Sequence, residues 1–312
     1  ATIQAAAQDG RLSVGRAELH NADTRVSIRD LDLPTGPLFQ GAAAPLLSEL
    51  NAAFEIAMTD IPALWSSFGT VPLPAGTSVP AHNLDLTGRI RDGVVTLEES
   101  RLTAAEGSVQ VQRLEASLTE MMEKGADAAF ALHASLDWPD LNTLASLLPL
   151  PSISGRLRGV VQLEGPWHAP AGTLRLEGED LAWGGTPWGT LDVNAQSDGR
   201  WLTVATARLS NAQDRLDLSG RLALASGDLD AVRLDLAVAD MGRYAAIVPL
   251  DFRPLEGQVA ADLTIEGTLA APEAAGTIAL DAVTVGPVFL NSVRGRLNTD
   301  QEGLQVERLT LD

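Results

Sequence analysis

The chain contains no cysteine. That excludes disulfides, thiolate zinc sites and cysteine nucleophiles, and it suits an oxidising compartment such as the periplasm without requiring one. Lysine is nearly absent too: Lys124 stands alone among 22 basic residues, a pattern read as codon bias. Positive charge as a whole is short, with 41 Asp and Glu giving a net charge of −19. A nucleic-acid partner needs clustered Lys and Arg to neutralise phosphates, so that class is excluded. Adhesion to anionic lipid by surface charge is excluded on the same ground. Aromatics make up only 4% of a chain that is 45% hydrophobic, so its apolar surface is aliphatic. No stretch of 18 apolar residues occurs, and a membrane-crossing helix is not expected.

Catalytic signatures are missing as well. There is no G-x-S-x-G, P-loop, G-x-G-x-x-G or H-E-x-x-H. His20, His82, His133 and His168 lie far apart without metal-ligand spacing. The phrase SGDLD (226–230) lacks the rest of a calcium loop and reads as a hairpin turn. No cofactor or metal is expected, and an enzyme is the least supported class.

What the chain does have is period-2 alternation from about residue 84 onward. In GQVAADLTIEG (257–267), Val259, Ala261, Leu263 and Ile265 fall on one face and Gln258, Asp262, Thr264 and Glu266 on the other. LDLSGRLAL (216–224), AVRLDLAVAD (231–240) and NLDLTGRI (83–90) behave alike. Short turn phrases separate them: RDGV (91–94), SDGRW (197–201), ASGDL (225–229) and DQEGL (300–304). Strands at such spacing predict an antiparallel all-β array, each strand with one apolar and one wet face.

The chain also repeats itself. Residues 140–178 and 240–281 each open on Asp, run through a short helical phrase closing on Pro-Leu, and continue with Gly and a strand. Both then carry Gly, Ala-Pro and Gly-Thr: Gly165, Pro170 and Gly172 in one, Gly267, Pro272 and Gly276 in the other. The phrase GTLAAPEAAGTIAL (267–280) reads as a strand-to-strand seam, with Pro272 ending the pairing and Gly267 and Gly276 flanking the turn. A weaker copy starts at Asp60. Asp suits each helical start because its carboxylate accepts from free first-turn N–H groups. The organisation read from this is residues 1–60 as strands plus an amphipathic helix, then repeats over 60–139, 140–239 and 240–312 (truncated), all in one continuous sheet. The helix is placed at 44–58 on the spacing of Leu46, Leu47, Leu50, Phe54 and Ala57. With Glu49 and Glu55 but no basic residue, it is expected to pack on the sheet rather than on a membrane.

One short helix per repeat cannot cover about six one-faced strands, which leaves apolar area unaccounted for. The candidate groove-lining residues are Leu157, Val161, Leu163, Leu174, Leu176, Val259, Leu263, Ile265, Ile278 and Leu280; the alternative is that they form an ordinary dry core. Five of the six tryptophans fall from Trp138 to Trp201, and either cover sheet ends or gate a groove.

In PLEGQVAADLTIEGTLAAPEAAGTIALDAVTV (254–285) and LNSVRGRLNTDQEGLQVERLTLD (290–312), the repeat style resembles the AsmA-like superfamily of bacterial envelope proteins, the TamB-like and YdbH-like group. The resemblance is clearest over 155–312. It implies a mostly β fold: an elongated, curved antiparallel sheet forming a U-shaped hydrophobic trough (β-taco-like), with a few short helices. It also implies a section of a lipid-transfer path across the periplasm of a Gram-negative bacterium, with phospholipid as partner and an outer-membrane protein beyond the C-terminal end. The chain opens without Met and stops in what reads as a strand, so a longer polypeptide anchored in the inner membrane is expected. Two readings stay open beside it: a chaperone-like assembly groove for outer-membrane proteins, and a dry-core structural stalk.

Overall fold

A computed structural model describes residues 2–20, 24–40, 43–59, 82–104, 107–142, 153–244, 255–285, 288–300 and 303–311. These residues are mostly β, in antiparallel strands with a few short helices. The chain divides into two compact units, Ala1–Pro149 with Arg158–Pro170, and Leu150–Leu157 with Ala171–Asp312.

The first unit holds β1 (Thr2–Gln8), β2 (Arg11–His20), β3 (Thr24–Pro34), β4 (Asn51–Met58), β5 (His82–Arg91), β6 (Val94–Ala104), β7 (Gly107–Ser117) and β8 (Ala129–Trp138). Each pairs antiparallel with the next. Strand β9 (Ile153–Pro166) contributes its first five residues to the second unit and the remainder to the first. Three short helices belong to the first unit: α1 (Thr35–Gln40), α2 (Ala43–Ser48) and α3 (Leu118–Lys124). Ser117 caps α3, its side chain accepting from the Glu120 N–H at 3.2 Å, as an N-cap serine should.

The second unit holds β10 (Ala171–Trp183), β11 (Thr186–Asp198), β12 (Trp201–Asn211), β13 (Asp214–Ala223), β14 (Leu229–Val238), β15 (Leu255–Thr268), β16 (Ala271–Val285), β17 (Val288–Asp300) and β18 (Gly303–Leu311). It too is a meander, every strand antiparallel to its successor. Short turns close the hairpins. Asp198 Oδ1 accepts from the N–H groups of Arg200 and Trp201, at 2.8 and 2.6 Å. Those backbone bonds, Trp201 first, hold its carboxyl below the usual range.

The sequence repeat has a structural counterpart. Gly155 and Gly257 (φ 109° and 105°), Gly165 and Gly267 (102° and 81°), and Asp180 and Ala282 (51° and 50°) form three pairs sharing one offset of 102 residues. The first and third pairs meet in space. A Cβ on Gly155 would stand 2.6 Å from the Asp180 carbonyl oxygen, and one on Gly257 would stand 2.5 Å from that of Ala282. The ladder slips one residue beside Gly257. The slip at Gly257 is a β-bulge, the device by which a sheet gains local twist, and Gly155 with Asp180 shares its backbone conformation and close approach.

Two expectations need correction. Only the first part of the 44–58 segment is helical, and Asn51–Met58 is strand β4. Leu46 through Ala57 fits a helical spacing, but Phe54, Ile56 and Met58 also alternate with Glu55 and Ala57, and β4 finds ladder partners on both sides. Bonds to two neighbouring strands outweigh a marginal helix preference. Next, Pro272 does not end pairing: it lies inside β16 opposite Gly267, and the hairpin turns at Leu269 and Ala270. Its missing N–H is tolerated because the β17 ladder begins only at Ala274, leaving that side of the strand free. Gly276 lies well inside β16, opposite Leu263.

The helical phrase after Asp60 lies outside the described residues. Those after Asp140 and Asp240 are described at their starts, and the aspartates act as expected. Asp140 Oδ1 accepts from Asn142 N–H and Asp240 Oδ1 from Gly242 N–H, both at 2.9 Å. The described start of the second phrase is a 3-10 turn, Met241–Tyr244.

Candidate functional site

The ladders of the second unit place apolar residues in register across the strands. One row runs Leu176, Val193, Ala207, Leu218, Leu234, Leu263, Gly276 and Leu297, from β10 to β17. A second runs Leu191, Leu209, Leu216, Leu236, Ala261 and Ile278, from β11 to β16. A third joins Val238, Val259, Leu280 and Val293. Eight strands at about 4.8 Å spacing make the first row roughly 34 Å long.

Seven of the ten candidates are brought onto this face: Leu174, Leu176, Val259, Leu263, Ile265, Ile278 and Leu280. Leu157, Val161 and Leu163 share one face of β9, alternating with exposed Arg158, Val160, Gln162 and Glu164. All ten are half-buried. A second sheet packed about 10 Å away would close over such residues and bury them. Among the described residues of the second unit, the fully buried apolar ones are Ala195, Ala223, Val283 and Val293. The rows are therefore apolar, continuous and partly open.

The first unit repeats the arrangement. Ala17, Ile28, Phe54, Gly88, Leu97, Leu114 and Leu132 form one row from β2 to β8. Phe54 fills the gap at Gly88, where a Cβ would stand 2.6 Å from its ring.

The opposite face of the second unit is polar. Asp192, Arg208, Asp217, Asp235, Asp262, Thr277 and Arg296 stand in one register line. Burial pushes the Asp217 carboxyl up, but hydrogen bonds from Arg208 and Arg215 outweigh it and hold the group below its usual range. A hollow of about 870 Å³ opens on this face, over Ala237, Ala260 and Ala279, between Asp235 and Asp262 on one side and Arg294 and Arg296 on the other. Small side chains here leave a trench between longer charged ones. Asp235 lies directly opposite Asp262, and like charges so placed repel. Asp262→Asn is expected to raise the melting temperature at low ionic strength, by the equivalent of about 0.2–1 kcal/mol. The gain should shrink as added salt screens the pair, which thermal melts at two salt concentrations would read.

The aromatic residues take varied places. Trp138 is buried at 3% exposure, while Trp183 is exposed. Trp167 stacks on Phe130 with centroids 3.9 Å apart. Arg221 lies over the Trp201 ring at 5.1 Å. Trp188 meets Tyr244 at 5.3 Å and 57°. Among the described residues no group of three or more His, Asp or Glu could hold a metal ion, and no helix is long and apolar enough to cross a membrane.

One cluster escaped the sequence reading. Asp214, at the start of β13, is 4% exposed. Its carboxylate accepts from Ala239 N–H at 2.7 Å, Tyr244 OH at 2.9 Å and Arg243 Nη1 at 3.2 Å. A signal was present: in DRLDL, Asp214 has the parity of Leu216 and Leu218, so a charge occupies an apolar-face position. A buried carboxylate persists there only with such partners.

Comparison with protein-family models, with curated proteins and with solved structures found no match to this chain.

Proposed function

We propose that this chain is a section of a periplasmic lipid-transfer path between the inner and outer membranes of a Gram-negative bacterium, its apolar rows shielding phospholipid acyl chains from water. The observation that carries the reading is the face itself, a row of aliphatic residues in register from β10 to β17, interrupted only by Gly276 and each member half-buried. Open apolar area of this extent marks a surface for apolar ligands or partners. Exposing a 16-carbon chain to water costs roughly 12 kcal/mol at about 0.8 kcal/mol per CH₂. A face of Leu, Val, Ile and Ala removes most of that barrier without a directional contact, so a chain held there stays free to slide. The repeat style, which resembles that of AsmA-like envelope proteins, supports the same reading.

The test is lipid extraction and native mass spectrometry of the purified, folded chain, with a photocrosslinker at Leu263 in cells. Co-purified phospholipid and lipid adducts are expected. A folded chain that carries no lipid, or adducts that are polypeptide instead, would overturn the proposal, the second outcome in favour of an assembly groove.

A further inference from the structure

The hollow on the polar face of the second unit has a small-residue floor and two sides of opposite charge. Its floor is Ala237, Ala260 and Ala279, in register across β14, β15 and β16. Asp235 and Asp262 stand along one side, on β14 and β15, and Arg294 and Arg296 at the other, on β17. Its volume of about 870 Å³ is that of a small-molecule site. Elsewhere on this face nearby charges close on each other: Arg208 and Arg215 pair with Asp217, and Arg221 pairs with Asp230. In the hollow they do not. Among the described residues neither Asp262 nor Arg294 has an ion-pair partner, and two strand spacings, about 10 Å, part β15 from β17. Asp235 and Asp262 also repel each other from directly opposite positions. Charge placement that works against the fold is expected at functional sites, and a cation held between the two carboxylates would relieve it.

We propose that this hollow binds a short zwitterionic peptide, its terminal ammonium held by Asp235 and Asp262 and its terminal carboxylate by Arg294 and Arg296. A guanidinium donates to a carboxylate through a two-pronged fork that matches it, and an ammonium brings three donors to the two aspartates. Three residues, at about 3.3–3.6 Å each, span the roughly 10 Å between the charged sides, whereas a single amino acid does not. The alanine floor leaves room for a peptide backbone. Thr277 stands in register between Asp262 and Arg296 and lines the hollow, where its hydroxyl is a further hydrogen-bonding group. The site lies on the face opposite the apolar rows and does not rest on the acyl-chain reading.

The probe is trialanine, beside N-acetyl-trialanine, which lacks the ammonium, and trialanine amide, which lacks the carboxylate. Each is titrated at low ionic strength into the isotopically labelled, folded chain while backbone amide resonances are followed by NMR. Trialanine is expected to move the amides of Ala260, Ala279 and Arg294 most, and to bind about fivefold more tightly than either derivative. The amide is the decisive comparison. It carries more net positive charge than trialanine, so a surface that attracts cations by acidity alone would hold it more tightly. Asp262→Asn should remove most of the preference over the acetylated peptide while raising the melting temperature, which separates lost binding from lost folding. Arg294→Gln should remove most of the preference over the amide. If the amide binds more tightly than trialanine, if all three peptides bind alike, or if none binds, the site is overturned.

Discussion

A chain carrying Leu263→Asp together with Ile265→Asp is expected to lose bound lipid at least a hundredfold and to remain folded. Leu263 stands between Leu234 and Gly276, and Ile265 between Val232 and Ala274. An aliphatic side chain contributes roughly 1.5–3 kcal/mol when fully covered. Two such losses exceed about 3 kcal/mol, or two powers of ten in affinity at about 1.4 kcal/mol per tenfold. The strand should survive, since both positions are half-open to water and β15 keeps its backbone bonds to β14 and β16. Thr264→Asp is the matched control: it lies between the two on the exposed face and should leave lipid binding unchanged. Lipid recovered per mole of folded protein, with circular dichroism melts alongside, decides the matter. Equal loss in the control, or lipid retained in the double variant, would refute the role given to this face.

The success of the sequence reading at β15 has a physical reason. Side chains alternate with a period of two, so Val259, Ala261, Leu263 and Ile265 had to share a face once the segment was extended. Register is another matter. Nothing in the alternation says that Leu263 meets Leu234 rather than Leu236, because either pairing keeps apolar side chains on the same face. The same holds for the β15–β16 ladder, where a bulge at Gly257 and Ala282 slips the register by one residue, its conformation coming from close backbone approach rather than from hydrophobic pattern. The helix placed at 44–58 failed for the opposite reason. Its sequence satisfied both periods, and the choice was made by contacts distant in the chain: Asn51 Oδ1 accepts from Asp92 N–H, and Leu50 C=O accepts from Gly93 N–H. The candidate rows were legible, residue by residue, as faces. Their continuity across the strands was not, nor was the polar hollow opposite, since both depend on which strand lies beside which.

Asp214→Asn is expected to bring the ionisation of Tyr244 back toward that of a free phenol. Burial, and then the hydrogen bond to the Asp214 carboxylate, push this hydroxyl up from 10.0 to about 12. Tyr244 is the single tyrosine of the chain, so the ultraviolet absorbance of tyrosinate during an alkaline titration reports on it alone. The folded phenol keeps its proton to about pH 12, whereas the unfolded one gives it up near 10.0. The stability this supplies is whole below pH 10 and disappears as the pH rises toward 12; at most it is roughly 2–3 kcal/mol, less what solvent removes from a half-exposed ring. Asp214→Ala should act at neutral pH as well, because it strands the part-buried Ala239 N–H and Tyr244 hydroxyl, each costing at most about 1–3 kcal/mol when left unpaired. Arg243 can turn to water and adds little. Urea unfolding should therefore place Asp214→Ala well below Asp214→Asn. A tyrosine that ionises near 10 in the unaltered, folded chain would show that Tyr244 does not hold its bond to Asp214.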